Sequence, residues 1–583
     1  MTATPLHEAT WRSDRLAQTV SEAVVEALKA LGVSYAFGVA GGAIAAFWGA
    51  LSGSEIKVVH FRHETGAAFA AIEAHFATNA PVVVFTTTGP GLTNALTGML
   101  AARGEGAKII LVSACTTAGY RGRGAIQETD NDTMPAGLTA PGALFHLATV
   151  IESAESLPQV FRRVANGLAR PGGFVCHLSV PTGLQAIALT HPIPGFVAPA
   201  PPSRPDDSVI AKCAALMMDG PVALWLGHGA RAAAASIRTL AERLGAAVMC
   251  SPRAKGIFPE DHPLFVGVTG MGGHDTVESY MRNHRPRRTL VLGTRLGEPT
   301  SFWNPAMIPA EGFIHVDIDP DVPGIAYPSA ATLPVCADIG QFVAALLQQL
   351  PATAHPTLLP LGALSRNPFC AETAQARRIR PEVLMAAIQR VVVDGHDCLV
   401  LAESGNSFAW ATHSLRFRDA GRYRVSTGVG SMGHCAAGVV GAALAGGRPA
   451  VAIVGDGSML MNNEINTAVK IGAPAIWVVL NDSRYNMCEQ GMAALGLEAD
   501  AAIPEVDFAM LARAMGAVGD IVESELDLDQ ALKTALLAER PYVLDIRIDP
   551  TRLAPSMARN RGLRALGVGS VPVSPDVSFP PRQ

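Results

Sequence analysis

At 583 residues the chain is too long for a single hydrophobic core, so three domains are expected. Hydrophobic residues make up 49 % of it against 16 % charged and 6 % aromatic, which excludes a disordered or fibrous chain and suits a well-buried α/β enzyme. A formal net charge of −5 leaves no footprint for nucleic acid, and no such partner is expected.

The first twenty residues are polar and charged, without the apolar core of a secretory signal. Nine cysteines are scattered singly with no CxxC spacing, the pattern of reduced thiols rather than of disulfides or a zinc site. No uninterrupted apolar run reaches membrane-spanning length. The expectation is a soluble, cytoplasmic enzyme with no membrane partner.

From about Ala17 to Ile187 helices alternate with short apolar runs. Strands are expected at Tyr35–Val39, Val58–Phe61, Val82–Thr86, Ile109–Ser113 and Phe174–Leu178, and a helix from Glu64 to His75 carries the small residues Ala67, Ala68 and Ala70. A Pro-rich stretch, 192–205, reads as a linker. A second αβ block runs from about Asp207 to Leu350; its basic run Arg282 to Arg288 is expected to be a solvated loop. A loose stretch from Pro351 to Asn367 leads to a third block, Arg380 to Pro550. The expected domains are 12–190, 205–350 and 376–550, with a tail at 551–583, and the expected fold is α/β with three doubly wound parallel sheets.

The third block holds the most informative stretch, Pro449 to Asn486. The β-branched run Val451 to Val454 ends in Gly455-Asp456-Gly457-Ser458. A helical pattern with Ile465, Val469 and Ile471 stops at Gly472 and Pro474, and a second apolar run, Ala475 to Leu480, ends in Asn481-Asp482. This is one βαβ unit of a parallel sheet, and both polar clusters fall at the carboxyl ends of its strands, where such sheets bind ligands. Gly455 and Gly457 let backbone approach a phosphate, and the following helix start offers unpaired N–H groups. Asp456 and Asp482 are hard oxygen ligands that, with phosphate oxygens and a carbonyl, suit Mg²⁺.

A weak internal repeat relates the first and third blocks. Pro81 to Ala114 lies in register with Pro449 to Asp482, so that Gly89 falls opposite Gly457 and Asn94 opposite Asn462. Only one copy carries the acidic residues: Thr88 stands where Asp456 does, and Ala114 where Asp482 does.

GDG followed about 25 residues later by an Asn pair resembles the diphosphate signature of thiamine-diphosphate enzymes; here the second member of the pair is Asp482. The likeness runs from about Ala17 to Pro550 and is nearest to acetohydroxyacid (acetolactate) synthases. Arg62-His63-Glu64-Thr65-Gly66-Ala67-Ala68 is similar to their HEQGAAHAA, FGVAGGAI to FGYPGGAI, Thr88 to Asn94 (TGPGLTN) to SGPGATN, and Ala125-Ile126-Gln127-Glu128 to AFQE. The resemblance implies thiamine diphosphate and Mg²⁺ as cofactors, with the metal on Asp456, Asp482 and the carbonyl of Arg484. It implies that Glu64 hydrogen-bonds the cofactor's pyrimidine and promotes loss of the thiazolium proton. The carbonyl of Gly430 would accept from the aminopyrimidine, and Met432 in VSTGVGSMGHCAAG would wedge the cofactor into its bent shape. Asn406, Gly455, Gly457, Ser458 and Met487 join the cofactor-binding set, while Gly42 leaves room for substrate and Gln127 hydrogen-bonds near the reacting centre.

The middle block is similar through SPRAKGIFPEDHPLFVG, LVLGTRLGE and HVDIDPDVPG. Acetohydroxyacid synthases bind FAD there, but Arg295-Leu296-Gly297-Glu298 stands where they carry Phe-Asp-Asp-Arg, which leaves FAD and an unloaded scaffold both open.

The implied reaction is carboligation: decarboxylation of a 2-oxo acid such as pyruvate and transfer of the remaining fragment to a second carbonyl. The alternatives are a 2-oxo acid decarboxylase or lyase, and a non-decarboxylating synthase joining a sugar-derived donor to an amine. No His-His pair occurs in the chain, which favours ligation over the protonation step of the pyruvate decarboxylase branch. A catalytically silent scaffold is a third reading, opposed by Glu64, Asp456 and Asp482. The resemblance also implies a homodimer or homotetramer with active sites between subunits. The basic tail, Arg559 to Arg564, reads as a loose end or as a lid over an anionic substrate.

Overall fold

The computed structural model describes residues 18–130, 132–189, 193, 205–352, 378–555, 563 and 567–568. The expected linker at 192–205, the loose stretch after 352 and the basic tail therefore fall almost wholly outside the described residues.

Three six-stranded parallel sheets carry the fold. The first holds β1 (Tyr35–Gly38), β2 (Lys57–His60), β3 (Val82–Thr86), β4 (Lys108–Cys115), β5 (Leu147–Val150) and β6 (Phe174–Pro181) in the order β2-β1-β3-β4-β6-β5. The second holds β7 (Val222–Leu226), β8 (Ala247–Cys250), β9 (Phe265–Val268), β10 (Arg288–Leu292), β11 (Phe313–Asp317) and β12 (Thr332–Cys336) in the order β12-β11-β10-β7-β8-β9. The third holds β13 (Leu399–Ala402), β14 (Tyr423–Val425), β15 (Ala450–Gly455), β16 (Ala475–Asn481), β17 (Val518–Val522) and β18 (Tyr542–Arg547) in the order β14-β13-β15-β16-β18-β17. Strands covered on both faces need apolar side chains at every position, which is why β3, β7 and β16 are buried throughout and read as unbroken apolar runs.

The first and third sheets have one strand order, second-first-third-fourth-sixth-fifth, as their repeat predicts. The middle sheet is wound differently, with its order reversing between β7 and β10. The chain divides into two compact units. One comprises Met1–Pro201, Ser426–Arg448 and Asn462–Ala475; the other comprises Pro202–Val425, Pro449–Met461 and Ile476–Gln583.

Within the first unit the helix Glu64–Thr78 is the central packing element. It starts at His63, whose Nδ1 accepts from the Thr65 amide at 3.1 Å, and stops at Asn79 in the left-handed region (φ 58°). Its small residues allow close helix crossings. A Cβ on Gly98 of the helix Leu96–Glu105 would lie 2.2 Å from Ala68 Cβ, and one on Gly441 of the helix His434–Gly446 would lie 2.0 Å from the Ala70 carbonyl oxygen.

The basic run is a correction. Arg282 ends a helix (Asp275–His284), Arg285 turns the chain at φ 43°, and Arg288 opens β10. Arg287 Nε donates to Glu311 at 2.5 Å, and Arg288 pairs with the same carboxylate. The run is an exposed helix end turning into a strand, with Arg287 and Arg288 held by Glu311, rather than a loop throughout.

Candidate active site

Two constellations form at the carboxyl edges of the first and third sheets. In the first unit, the turn after β2 carries Glu64, the turn after β3 carries Thr88 to Asn94, and the loop after β4 carries Gln127. Glu64 is only 7 % exposed. Its Oε2 accepts from Asn94 Nδ2 at 3.1 Å, and a Cβ on Gly91 would sit 3.4 Å from its Oε1, so Asn94 fixes one oxygen and a glycine leaves space beside the other. Thr65 Oγ1 donates to the Asn94 carbonyl, tying the two turns together.

Gln127 has φ 53°, and its Oε1 accepts from Thr88 Oγ1 at 3.2 Å. Thr129 fastens the loop, its Oγ1 accepting from the Gly89 amide at 2.7 Å and donating to the Gln127 carbonyl at 3.0 Å. Glu128 turns inward on its own loop and accepts from the Gly122 and Gly124 amides. Ile126 is left 93 % exposed at the tip. Gly42 lies exposed at the start of a short 3₁₀ turn after β1, with open space where a side chain would be. Gly430 (φ 66°) is exposed and Met432 half-buried, in the loop before the helix His434–Gly446. That loop is set by Glu105, whose Oε1 accepts from Ser426 Oγ and from the amides of Thr427 and Gly428 at 2.7–3.0 Å.

In the second unit, β15 ends in Gly455 and β16 in Asn481, which brings Asp456 and Asp482 side by side at one sheet edge. Asp456 Oδ1 accepts from the Gly457 amide at 2.7 Å; its Oδ2 accepts from the amides of Asp482 (3.2 Å) and Ser483 (2.7 Å). Asp482 Oδ2 accepts from Asn486 Nδ2 at 2.5 Å. Burial raises both carboxyls above the usual range. For Asp456 the surrounding amides oppose the rise, whereas Asp482, facing a second carboxylate, is pushed up to about 7. Two buried acids side by side, the one raising the other, want a cation between them.

The neighbourhood supports the same reading. Asn406 opens the helix Asn406–Ser414 after Gly405 (φ 104°), and its buried Oδ1 has no hydrogen-bond partner; neither has Ser483 Oγ. A Cβ on Gly455 would meet nothing nearer than Ser407 Oγ at 4.0 Å, so the turn is an open cradle. Ser458 is buried in the short helix Asp456–Met459. Arg484 Nη1 pairs with Glu489 at 2.9 Å, which holds the backbone of the Ser483–Arg484 turn. Met487 packs against the core of the third sheet. Among the described residues no three His, Cys, Asp or Glu side chains gather as a metal cage. The site is two carboxylates and backbone, which leaves positions for a ligand's own oxygens and so fits Mg²⁺ carrying a diphosphate.

In the middle sheet the turn after β7 is already bonded. The Gly227 amide donates to Leu292 and the Gly229 amide to Gly293, and a Cβ on Gly227 would come within 2.1 Å of the Gly293 oxygen. These amides do not form the anion cradle that a dinucleotide needs at such a switch point.

Three family models match in succession: the thiamine pyrophosphate enzyme N-terminal TPP binding domain over residues 18–134, the central domain over 216–346, and the C-terminal TPP binding domain over 403–546. An acetolactate synthase large subunit of Parasynechococcus marenigrum is 30 % identical over 560 residues, covering 91 % of this chain and 88 % of that one. The chain belongs to the thiamine pyrophosphate enzymes, in their acetolactate synthase-like branch.

This thiamine pyrophosphate enzyme is also similar to a Pseudomonas aeruginosa protein named "Probable 2-ketoarginine decarboxylase AruI", with 29 % identity over 88 % of this chain and 90 % of that one. The solved structure of benzoylformate decarboxylase from Polynucleobacter necessarius superposes with a TM-score of 0.79, covering 92 % of this chain and all of that chain at 20 % identity, a likeness of fold. No described helix is long and apolar enough to cross a membrane.

Proposed function

We propose that this enzyme is a thiamine-diphosphate- and Mg²⁺-dependent carboligase that decarboxylates a 2-oxo acid such as pyruvate and joins the remaining fragment to a second carbonyl. The observation that carries the reading is the facing pair of buried carboxylates at the ends of β15 and β16, beside a partnerless Asn406 oxygen and an open Gly455 turn. Asp456, Asp482 and the carbonyl of Arg484 would hold Mg²⁺ and, through it, the diphosphate; Gly455, Gly457, Ser458 and Asn406 would bind the diphosphate directly. Gly430, Met432 and Met487 are further cofactor-binding candidates. Thiamine diphosphate, when bound, supplies the electron sink for losing carbon dioxide and forming the new bond.

The chain's own residues orient and protonate. Asn94 occupies Glu64 Oε2, which leaves Oε1 to carry the exchangeable proton toward the pyrimidine. Thr88 holds Gln127 for a hydrogen bond to substrate, and Gly42 keeps the approach clear. A homodimer or homotetramer in the cytoplasm, with each cofactor shared between two copies of the chain, completes the proposal, as does the division into domains at 12–190, 205–350 and 376–550.

The test is incubation of the protein with thiamine diphosphate, Mg²⁺ and a panel of 2-oxo acids, with and without aldehyde acceptors, following carbon dioxide and ligated product together. Glu64→Gln should lose on the order of 10²–10⁴ of turnover while remaining folded. Carbon dioxide without any ligated product would favour the decarboxylase reading, for which the named relative of Pseudomonas aeruginosa speaks. Failure to take up the cofactor would reject both.

A further inference from the structure

Glu464 is a buried acid that the proposed chemistry does not use, and its partners Arg62, His63 and Thr467 lie with it in the first unit. It precedes the helix Ile465–Ile471 with φ 48°, a left-handed backbone that a non-glycine residue keeps only where its surroundings over-determine it. Its Oε1 accepts from the amides of Arg62 (3.2 Å) and His63 (3.1 Å), and its Oε2 lies 3.1 Å from the Arg62 amide and accepts from Thr467 Oγ1. Two residues on, Asn466 Oδ1 accepts from Arg62 Nε at 2.9 Å and from Nη2 at 2.7 Å. The segment they grip is the turn that ends in Glu64, the first residue of its helix. A Cβ on Gly66 would lie 2.5 Å from Glu464 Oε1, so a glycine in the first turn of that helix makes the approach possible.

We propose that Glu464 is the positioning residue for Glu64. From 400 residues away in sequence, its carboxylate binds the two amides that precede Glu64 and fixes where the helix begins, while Asn94 fixes the side chain. A carboxylate at this place also meets the unpaired N–H groups and positive end of the helix, which strengthens the grip. The inference rests on reading Glu64 as the carboxyl that faces the cofactor. It assigns Glu464 no contact with cofactor or substrate: its effect is on the angle and reach of Glu64, where a displacement of about 1 Å costs on the order of a hundredfold in rate.

The experiment uses the full chain loaded with thiamine diphosphate and Mg²⁺, and compares Glu464→Ala, Glu464→Gln and Glu64→Gln. Three readouts are taken: kcat and KM separately, cofactor retained after gel filtration, and backbone amide hydrogen exchange over residues 60–67. Glu464→Ala is expected to speed exchange at Arg62 and His63 and to lower kcat by roughly tenfold to a hundredfold. KM and cofactor retention should stay near wild type, because the diphosphate end of the site is untouched. Glu464→Gln keeps an oxygen facing both amides and should recover most of the lost turnover. Wild-type kcat in Glu464→Ala overturns the proposal, and so does a Glu464→Gln variant as slow as Glu464→Ala. If the Ala variant fails to fold, Glu464→Gln decides alone: turnover near wild type with protected amides supports the proposal, and a loss equal to that of Glu64→Gln overturns it. Full activity in Glu64→Gln would instead sink the reading of Glu64, an outcome seen without reference to Glu464.

Discussion

Lys255 and Glu260 form an ion pair with no exposed side-chain surface, Nζ to Oε2 at 2.7 Å. Glu260 also bonds the backbone of Phe417 in both directions, and Lys255 Nζ sits 6.0 Å from the Phe417 ring centre and 5.9 Å from that of Tyr423. The pair thus joins the loop after β8 to the segment that leads into β14. At this separation and an effective dielectric constant of about 20 the gross attraction is about 6 kcal/mol, most of it offset by desolvation. Lys255→Met removes the attraction and leaves the desolvated carboxyl, so a loss of about 3–5 kcal/mol is expected. Lys255→Met/Glu260→Leu, with no charge left inside, should recover most of it.

The pH dependence has a definite sign. Burial raises the Glu260 carboxyl above its ordinary 4.5, with Lys255 opposing the rise, and without Lys255 it rises further. A carboxyl raised in the folded state favours folding while protonated and loses that stability as pH climbs through the folded value. The single variant should therefore approach wild type near pH 4.5 and fall behind it toward pH 8. Urea unfolding of the full chain by tryptophan fluorescence reads this as a midpoint lowered by about 1–2 M at pH 8 for a slope of about 3 kcal/mol/M. Single and double variants agreeing within about 0.5 kcal/mol, or a penalty independent of pH, would refute the reasoning.

Chelation of divalent cations should strip thiamine diphosphate from the protein during gel filtration, and Mg²⁺ should restore it; cofactor retained in excess chelator would reject Asp456 and Asp482 as its anchor. Gly441→Ala drives a methyl against the Ala70 carbonyl and should cost about 1–3 kcal/mol or more, read as a lowered thermal midpoint. Ile126→Gln, at a side chain 93 % exposed, should leave stability within about 0.5 kcal/mol and change KM for the second carbonyl substrate; an unchanged KM removes the loop tip from acceptor binding.

Much of this fold can be read directly from the chain because parallel sheets write themselves as apolar runs. β3 was bounded to the residue, and β4, β6, β15 and β16 differ from their sequence reading only by extensions of one to three residues at their ends. The edge strand β5 was missed: Thr149 interrupts its apolar residues, and only Leu147 and Ala148 are buried. The helix start at Glu64 and the neighbouring strand ends of Asp456 and Asp482 were legible for a local reason: glycines and acids concentrate where strands turn. What stayed hidden depends on tertiary contact. Glu464 gripping Arg62 and His63, Glu105 gripping Thr427 and Gly428, and His434 reaching Glu73 at 2.9 Å each span hundreds of residues. Asn94 was visible within its motif, but not as the partner of Glu64. Order in the chain and compactness also differ, because 426–448 and 462–475 lie between strands of the third sheet yet group with the first unit.

The matching strand order of the first and third sheets has a consequence for how charge is distributed. Thr88 and Ala114 are buried where their counterparts Asp456 and Asp482 are ionisable, so only the third sheet carries a pair of carboxyls at these two strand ends, while the first sheet offers the single acid Glu64 from another turn. On the proposed reading, an ion-carrying anion would find its anchor at one of two edges that share a winding order, and the difference lies in two side chains rather than in the backbone.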